Sequence, residues 1–135
     1  MKIKLINYGY VNKPFRAHYN DAGADIYSIG TIKISPHTTV KIPLGIGLEI
    51  PDGFMACIFP RSGLTSKGII SNIPPIDSGY RGEIHAIITN TTNNTYIINE
   101  NDRIGQLVIL PIILCDFVEK LDNTRGEGGF GSTGK

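Results

Sequence analysis

The sequence contains no tryptophan, two cysteines and no long apolar run. A membrane-spanning helix needs about 20 consecutive apolar residues, and no stretch of this chain reaches that length. Met1 is not followed by an apolar segment with a small-residue cleavage site, so the sequence predicts no secretory signal peptide. Cys57 and Cys115 each lie within an apolar stretch, which favours buried free thiols in a reducing compartment. We therefore expect a soluble, cytoplasmic protein.

An excess of charge of either sign is also missing. Lysine and arginine total 13 and aspartate and glutamate total 12, which gives a net charge of +1. Without a basic excess, neither nucleic acid nor an anionic membrane is expected as the main partner. His18, His37 and His85 are scattered, and the sequence has no paired-cysteine, HExxH or P-loop motif. These absences argue against a side-chain zinc site and against a Walker-type nucleotide fold.

Isoleucine dominates what is present. The 135 residues include 23 isoleucines against 5 alanines and 8 leucines, together with 16 glycines and 8 prolines. Isoleucine favours strands, while glycine and proline end short elements, so the composition predicts an all-β fold. The length suits one domain.

Short apolar runs separated by turn residues support this prediction. The runs cover residues 2–7, 39–42, 46–50, 54–59, 83–89, 95–98, 104–110 and 113–118. Ser, Pro, Asp, Asn and Gly cluster between them, as in turns. Strands at this spacing predict a β-sandwich or a jelly-roll. Residues 62–66 are the one candidate for a short helix.

Five polar segments stand between the apolar runs, at 22–26, 60–64, 76–83, 103–106 and 125–134. Each has a plain structural explanation. Asp25 could close a turn by accepting from a nearby amide, and Arg61 could be a solvated charge. Arg61, Ser62 and Gly63 in succession also offer a guanidinium, a hydroxyl and unpaired backbone N–H groups, which together suit an anion.

The other polar segments also allow two interpretations. Asp77 and Tyr80 could pair structurally, and Arg103 and Gln106 could form a strand-edge polar pair. The segment 125–134 has five glycines in ten positions and should form a mobile arm. A plain flexible tail does not need the arginine, phenylalanine, serine and threonine that alternate with these glycines. They supply a phosphate-binding fork, a stacking ring and two hydroxyls, which is typical of a lid over a nucleotide polyphosphate.

The five segments, in this order, resemble the motifs of the homotrimeric dUTPase family. The resemblance spans residues 22–134, and its most specific parts are IDSGYRGE at 76–83 and RGEGGFGSTG at 125–134. It implies a distorted jelly-roll or β-sandwich subunit of the β-clip kind, with a core at 1–123 and an arm at 124–135 that closes the active site. It also implies a homotrimer with three active sites at the subunit interfaces.

The resemblance further implies hydrolysis of dUTP to dUMP and pyrophosphate, with magnesium bound to the triphosphate. Asp77 would be the catalytic base for the attacking water and would also touch the sugar 3′-hydroxyl. Tyr80 would pack on the deoxyribose and leave no room for a 2′-hydroxyl. Asp25 would lie among the waters around the metal, without a direct bond to it.

The remaining implied residues bind the substrate in three groups. The phosphates are held by Arg61, Ser62, Gly63 and Gln106. The hairpin 72–85 reads uracil largely through its backbone, with contacts from Asn72, Pro75, Ile76 and His85. The arm contributes Arg125, Phe130, Gly131, Ser132 and Thr133, with Phe130 stacked over uracil and the arginine and hydroxyls on the terminal phosphates.

The hairpin departs from the family pattern. The family usually has a glycine before the Ile-Asp pair, where this chain has Pro74 and Pro75, and the resemblance leaves room for a one-residue deletion here. Two prolines remove two N–H donors, so we expect the N–H groups of Ile73, Ile76 and His85 to remain available to the base.

Two alternatives stay open at this level. One is an enzyme of the related dCTP deaminase group, which shares the fold but usually has a longer chain without the full Phe-Gly-Ser-Thr arm. The other is a nucleotide-gated binding or signalling protein with weak turnover. Asp77 and the arm favour the hydrolase over both.

Overall fold

Ten short strands and one helical turn make up the part of the chain described by the computed structural model, residues 1–121. The strands are β1 (Lys4–Asn7), β2 (Ala24–Tyr27), β3 (Ile32–Ile34), β4 (Thr38–Pro43), β5 (Ile46–Glu49), β6 (Phe54–Phe59), β7 (Ile69–Asn72), β8 (His85–Asn90), β9 (Tyr96–Ile98) and β10 (Arg103–Pro111), and α1 (Ser62–Thr65) follows β6. No helix within these residues is long and apolar enough to cross a membrane. The predicted division at 123/124 lies outside the described residues and stays a prediction.

The strands form four small antiparallel sheets. β10 lies between β2 and β6, and β8 lies between β4 and β7, while β1 pairs with β5 and β3 with β9. Most partners are far apart in sequence, so the chain crosses repeatedly from one sheet to another, as in a jelly-roll. The all-β prediction is confirmed.

The core between these sheets is built mainly from isoleucine. Fully buried examples come from almost every strand, including Ile26, Ile34, Ile42, Ile88 and Ile104, each at most 2% exposed. A β-branched side chain has little χ1 freedom to lose in an extended strand and packs well against a pleated surface. The isoleucine excess in the sequence is therefore the composition of this core.

Most of the predicted elements are confirmed. Seven of the eight apolar runs coincide with strands to within two or three residues at each end, and the short helix predicted at 62–66 is α1. Three strands were missed, β2, β3 and β7. They have three or four residues each, and β2 lies inside a segment that its polar residues marked as a turn.

The strand predicted at 113–118 is wrong, because the structure has no strand there. A strand needs a neighbour to complete its backbone hydrogen bonds, and within residues 1–121 this segment has none. Its apolar side chains are instead between 60% and 95% exposed, namely those of Ile113, Leu114, Phe117, Val118 and Leu121.

The two cysteines differ in environment. Cys57 is buried within β6, and desolvation raises the pKa of its thiol. Cys115 is exposed because it belongs to the segment that does not pair. The prediction of a buried thiol therefore holds for Cys57 and is wrong for Cys115.

A buried asparagine joins two of the sheets. Asn90, at the end of β8, is fully buried, and its Nδ2 donates to Ile34 O at 3.0 Å and to Asn94 O at 2.7 Å. Its Oδ1 accepts from the N–H and the hydroxyl of Thr92 at 2.9 and 2.7 Å. Every polar atom of this side chain is satisfied, and the bonds tie β8 to β3 and to the turn before β9.

We expect Asn90→Ala to lower the free energy of unfolding by about 2–4 kcal/mol, because it removes the hydrogen bonds of a buried side chain and takes the Asn90 donor away from the buried Ile34 carbonyl. Urea unfolding at one fixed chain concentration measures this. Asn94→Ala is the matched control: its exposed side chain makes no hydrogen bond within residues 1–121, and its loss should change stability by less than about 0.5 kcal/mol. Equal effects of the two substitutions would contradict a structural role for the Asn90 side chain.

Candidate active site

An open pocket of about 600 Å³ lies beside the end of β6 and α1. Three basic side chains line it, those of Arg61, Lys67 and Arg103, together with Asp102. Arg61 Nη1 donates to Arg103 O at 2.9 Å, which fixes the half-buried guanidinium against the start of β10. The excess of positive charge over one carboxylate suits an anionic ligand.

The turn at the start of α1 adds backbone donors to this pocket. The N–H groups of Leu64 and Thr65 both donate to Arg61 O, at 3.0 Å each. Those of Ser62 and Gly63 have no acceptor among residues 1–121. Ser62 and Gly63 are exposed, so their N–H groups and the Ser62 hydroxyl are free to meet a ligand.

Asp25 and Gln106 lie side by side on neighbouring strands. They are directly opposed in the β2–β10 pair, which places both side chains on the same face of the sheet. A Cβ added at Gly23 would lie 2.7 Å from Gln106 Cβ and 3.0 Å from its Oε1, so Gly23 leaves the space that Gln106 occupies. Asp25 is therefore part of a strand, and the turn-closing interpretation does not apply.

The Asp25 carboxylate does not line the basic pocket, but it contacts Arg103, which does. Arg103 Nη1 lies 3.3 Å from Asp25 Oδ2, with the arginine half exposed. Among the described residues no other side chain reaches this carboxylate, which leaves Oδ1 available. No group of three or more His, Cys, Asp or Glu residues within 1–121 could hold a metal ion by itself.

The hairpin residues form a second, separate cluster. The pairing of β7 with β8 ends at Asn72 and Ile87, and beyond this point the two strands separate. A cavity of about 20 Å³ lies in the gap, lined by Ile58, Asn72, Pro74, Ile76 and His85. That is about the space of one water molecule. Pro75 is exposed, and it is Pro74 that lines the cavity.

One expectation about this hairpin is wrong. The N–H of Ile76 donates to Ala56 O at 2.8 Å and the N–H of Ala56 donates back to Ile76 O at 3.0 Å, so Ile76 is bridged to β6 and its amide is not available to a base. His85 differs. Along β8 the backbone N–H and C=O groups of successive residues point alternately to the β4 side and to the β7 side. The carbonyl of Ile87 faces Asn72 on the β7 side. The N–H and C=O of His85, two residues earlier, therefore point to the same side, toward the gap.

Asp77 and Tyr80 lie on the turn that follows. The N–H of Tyr80 donates to Asp77 O at 3.1 Å, while Tyr80 Oη donates to Glu83 O at 2.7 Å. The two side chains therefore do not pair with each other. Asp77 is exposed, and its carboxylate accepts no hydrogen bond from residues 1–121. It is placed to act on a group outside the chain.

Within one chain, the basic pocket and the hairpin gap lie far from each other. Ile76 bridges Ala56, whereas Arg61 lies five residues further along the extended β6 and its continuation, or roughly 16 Å at the rise of a strand. The basic pocket and the hairpin gap share no lining residue. The predicted arm residues, Arg125, Phe130, Gly131, Ser132 and Thr133, lie outside the described residues.

Some members of these clusters were missed from sequence. Lys67 and Asp102 line the basic pocket although neither carries a motif signal. Tyr8 Oη donates to Arg81 O at 2.7 Å, and Glu83 Oε2 accepts from the N–H of Gly45 at 2.9 Å. These contacts join residues 73 and 38 positions apart, so no local pattern could have revealed them.

The fold and these clusters define an all-β protein with an anion-accepting pocket and an exposed carboxylate. The family model described as dUTPase matches residues 10–134. The chain is 43% identical over 127 residues to the deoxyuridine 5′-triphosphate nucleotidohydrolase of Clostridium novyi (strain NT), covering 90% of this chain and 89% of the relative. It is 41% identical over 140 residues to that of Clostridioides difficile, covering 99% and 97%.

Solved structures of dUTPases are also similar to this chain. The dUTPase of Staphylococcus bacteriophage 80alpha with dUpNHpp superposes with a TM-score of 0.85 at 29% identity, covering 99% of both chains. A mutant dUTPase from phage phi11 of S. aureus, described with a structural Mg(II) ion, gives 0.84 at 27% identity, covering 91% of this chain and 100% of that one. The chain belongs to the dUTPase family.

Proposed function

We propose that this chain hydrolyses dUTP to dUMP and pyrophosphate, with Asp77 as the catalytic base. The observation that carries the proposal is the exposed, unpaired Asp77 carboxylate beside the hairpin gap, in a chain whose other cluster is a basic pocket. Hydrolysis of a phosphoanhydride needs charge neutralisation and a positioned water more than covalent catalysis. The basic pocket would neutralise phosphate charge, and Asp77 would position the water.

Asp77 is proposed to take a proton from the attacking water. The water oxygen then bonds to the α-phosphorus while the bond from that phosphorus to the bridging oxygen breaks, and pyrophosphate leaves. A carboxylate without competing donors keeps both oxygens available, one for the water and one for the sugar 3′-hydroxyl. Tyr80 packs on the deoxyribose.

The basic pocket is proposed to hold the phosphates. Arg61 offers a fixed guanidinium, Ser62 a hydroxyl and, with Gly63, unpaired N–H groups. Gln106, which opposes Asp25 and Phe59 in the sheet, would add an amide. Hydrogen bonds from such donors to phosphate oxygens are charge-assisted and stronger than those between neutral groups. Asn72, Pro75, Ile76 and His85 surround the base, with Ile76 contributing through its side chain because its backbone is bridged to Ala56.

Magnesium is the proposed metal. The single carboxylate of Asp25, with Oδ1 available, suits an ion held mainly by phosphate oxygens and water, since Mg²⁺ prefers oxygen ligands and keeps several waters. When bound, the ion would neutralise the triphosphate charge. Asp25 would accept hydrogen bonds from the waters around the ion.

The residues 124–135 are proposed to close the site. Arg125, Ser132 and Thr133 would bind the terminal phosphates, and Phe130, next to Gly131, would stack on the base. Closing would exclude water from around the phosphates and strengthen each electrostatic contact there.

We also propose that the active enzyme is a homotrimer whose sites combine clusters from different subunits. In one chain the basic pocket and the hairpin gap are separate, so each is an incomplete site. The exposed apolar side chains of 113–121 lack cover within the described residues, and burial against another copy would remove them from water. A cytoplasmic location remains part of this proposal.

The substrate and reaction class are tested by one comparison. Purified protein with magnesium should release pyrophosphate from dUTP and no ammonia from dCTP, and kcat/KM for dUTP should exceed that for dCTP hydrolysis by at least about a hundredfold. Ammonia from dCTP would identify the deaminase reaction instead. Tight dUTP binding with negligible turnover would favour the binding-protein alternative.

We expect Asp77→Asn to lower kcat for dUTP by at least about a thousandfold, because an amide cannot take the proton, while the Kd for dUpNHpp changes by less than about tenfold. Pyrophosphate release and calorimetric titration measure the two quantities. Asp52→Asn is the matched control, since this exposed carboxylate accepts from Ser78 Oγ at 3.2 Å, close to Asp77 in the structure. It should retain kcat within about threefold. Turnover by Asp77→Asn near the wild-type rate would exclude Asp77 as the base.

Light scattering should give a mass of about three times 14.7 kDa. Phe117→Asp should lower that mass and the activity together, because it puts a charge into the surface that assembly buries. Tyr19→Asp is the control, since Tyr19 and Phe117 are each 95% exposed but lie in different segments. It should leave the mass unchanged. A fully active monomer would refute the shared site.

A further inference from the structure

The Tyr80 ring occupies the space that a side chain at residue 82 would need. Tyr80 Oη donates to Glu83 O at 2.7 Å, which folds the ring back over residue 82. A Cβ added at Gly82 would lie 2.5 Å from Oη, 2.7 Å from Cζ and 3.0 Å from Cε1 of this ring. Atoms in folded proteins do not approach so closely, so any side chain at 82 would force a movement.

Gly82 is not needed for its backbone conformation. Four glycines of the described chain, Gly9, Gly45, Gly53 and Gly68, have positive φ angles, and Gly82 is not among them. An alanine there meets no backbone strain, because strain of that kind arises in the left-handed region. The consequence of a side chain at 82 is therefore confined to its contact with Tyr80.

Hydrogen bonds and close packing hold the backbone of residues 81–83, so it should not move to make room for a side chain at residue 82. Tyr8 Oη donates to Arg81 O, and the Glu83 carboxylate accepts from the N–H of Gly45. Gly47 packs so closely that a Cβ on it would lie 2.9 Å from Gly82 O. The Tyr80 ring is 46% exposed, so its outer side has space. The ring, and not the backbone, should give way.

We propose that Gly82 is a specificity-determining residue: its missing Cβ lets Tyr80 lie where it excludes ribose. The proposal rests on the proposed function, in which Tyr80 packs on the deoxyribose. A ring packed on the sugar would exclude a 2′-hydroxyl sterically, so the exclusion depends on how close the ring lies to the sugar. A ring displaced by a methyl group would leave room for that hydroxyl and break its hydrogen bond to Glu83 O.

The test is the ratio of kcat/KM for dUTP to that for UTP. Gly82→Ala should lower this ratio by at least about tenfold, because UTP gains access that dUTP does not need. Gly79→Ala is the matched control: it lies on the same turn, has no positive φ, and an added Cβ there would meet nothing within 4 Å. It should leave the ratio within about twofold of wild type.

A double-substitution cycle separates the ring from other causes. In a Tyr80→Ala background the ratio is already low, and adding Gly82→Ala should change it no further, since the two residues then have no contact to lose. Tyr80→Phe removes the hydroxyl that anchors the ring and leaves the backbone unchanged, and it should also lower the ratio. If Gly82→Ala does not fold, the ratio measured for Tyr80→Phe tests whether the ring position sets the exclusion of ribose.

Three results would overturn the proposal. They are an unchanged ratio in a folded Gly82→Ala, an equal loss from Gly82→Ala in the Tyr80→Ala background, and an unchanged ratio in Tyr80→Phe when Gly82→Ala is unfolded. A wild-type enzyme that turns over neither nucleotide would instead overturn the proposed function, and this inference with it. The two failures are therefore distinguishable from the wild-type assay alone.

Discussion

The pairing of β10 with both β2 and β6 is the constraint on which the candidate site depends. Gln106 opposes Asp25 on one side and Phe59 on the other, so one residue of the middle strand aligns two neighbouring strands. The register shifts between Arg103 and Gly105, and a Cβ on Gly105 would lie 2.7 Å from Ile58 Cγ2. This close approach lets Arg103 place its guanidinium on Asp25 and its carbonyl under Arg61. The basic pocket is therefore a consequence of strand register, which the buried isoleucines on the core face specify.

The hairpin gap, in contrast, lies where strand pairing ends. Its polar backbone groups are available because no strand continues there. What keeps the gap from collapsing is its connection to the core on both sides. The Ala56–Ile76 bridge holds one side to β6, while Tyr8 and Glu83 hold the turn that carries Asp77 and Tyr80 to the N-terminal part of the chain. An open, reactive surface is thus supported by bonds that lie behind it.

The sequence predicted the composition of the core and the all-β fold better than it predicted which residues contact each other. Isoleucine frequency and turn residues sufficed for the all-β fold, because both act locally. β2 was missed because Asp25 interrupts a four-residue strand, and only its long-range pairing with β10 makes it one. The exposed segment 113–118 has the pattern of a strand, but a strand also needs a partner, and sequence does not say whether one chain supplies it. Lys67, Tyr8 and Asn90 were not singled out, since their contacts join distant positions.

The two prolines of the hairpin limit how the proposed uracil base could be read there. Uracil presents an acceptor at its 4-oxygen and a donor at N3, so a reader needs one N–H and one C=O in matching positions. Pro74 and Pro75 have no N–H, and that of Ile76 is bound to Ala56. Asn72 Nδ2 already donates to Thr89 Oγ1 at 3.0 Å. Of the groups facing the gap, the backbone of His85 offers both an N–H and a C=O without an existing partner among residues 1–121. Under the proposed function we therefore infer that uracil would be read mainly from β8, where the backbone is held in a sheet and its direction is fixed before any ligand arrives.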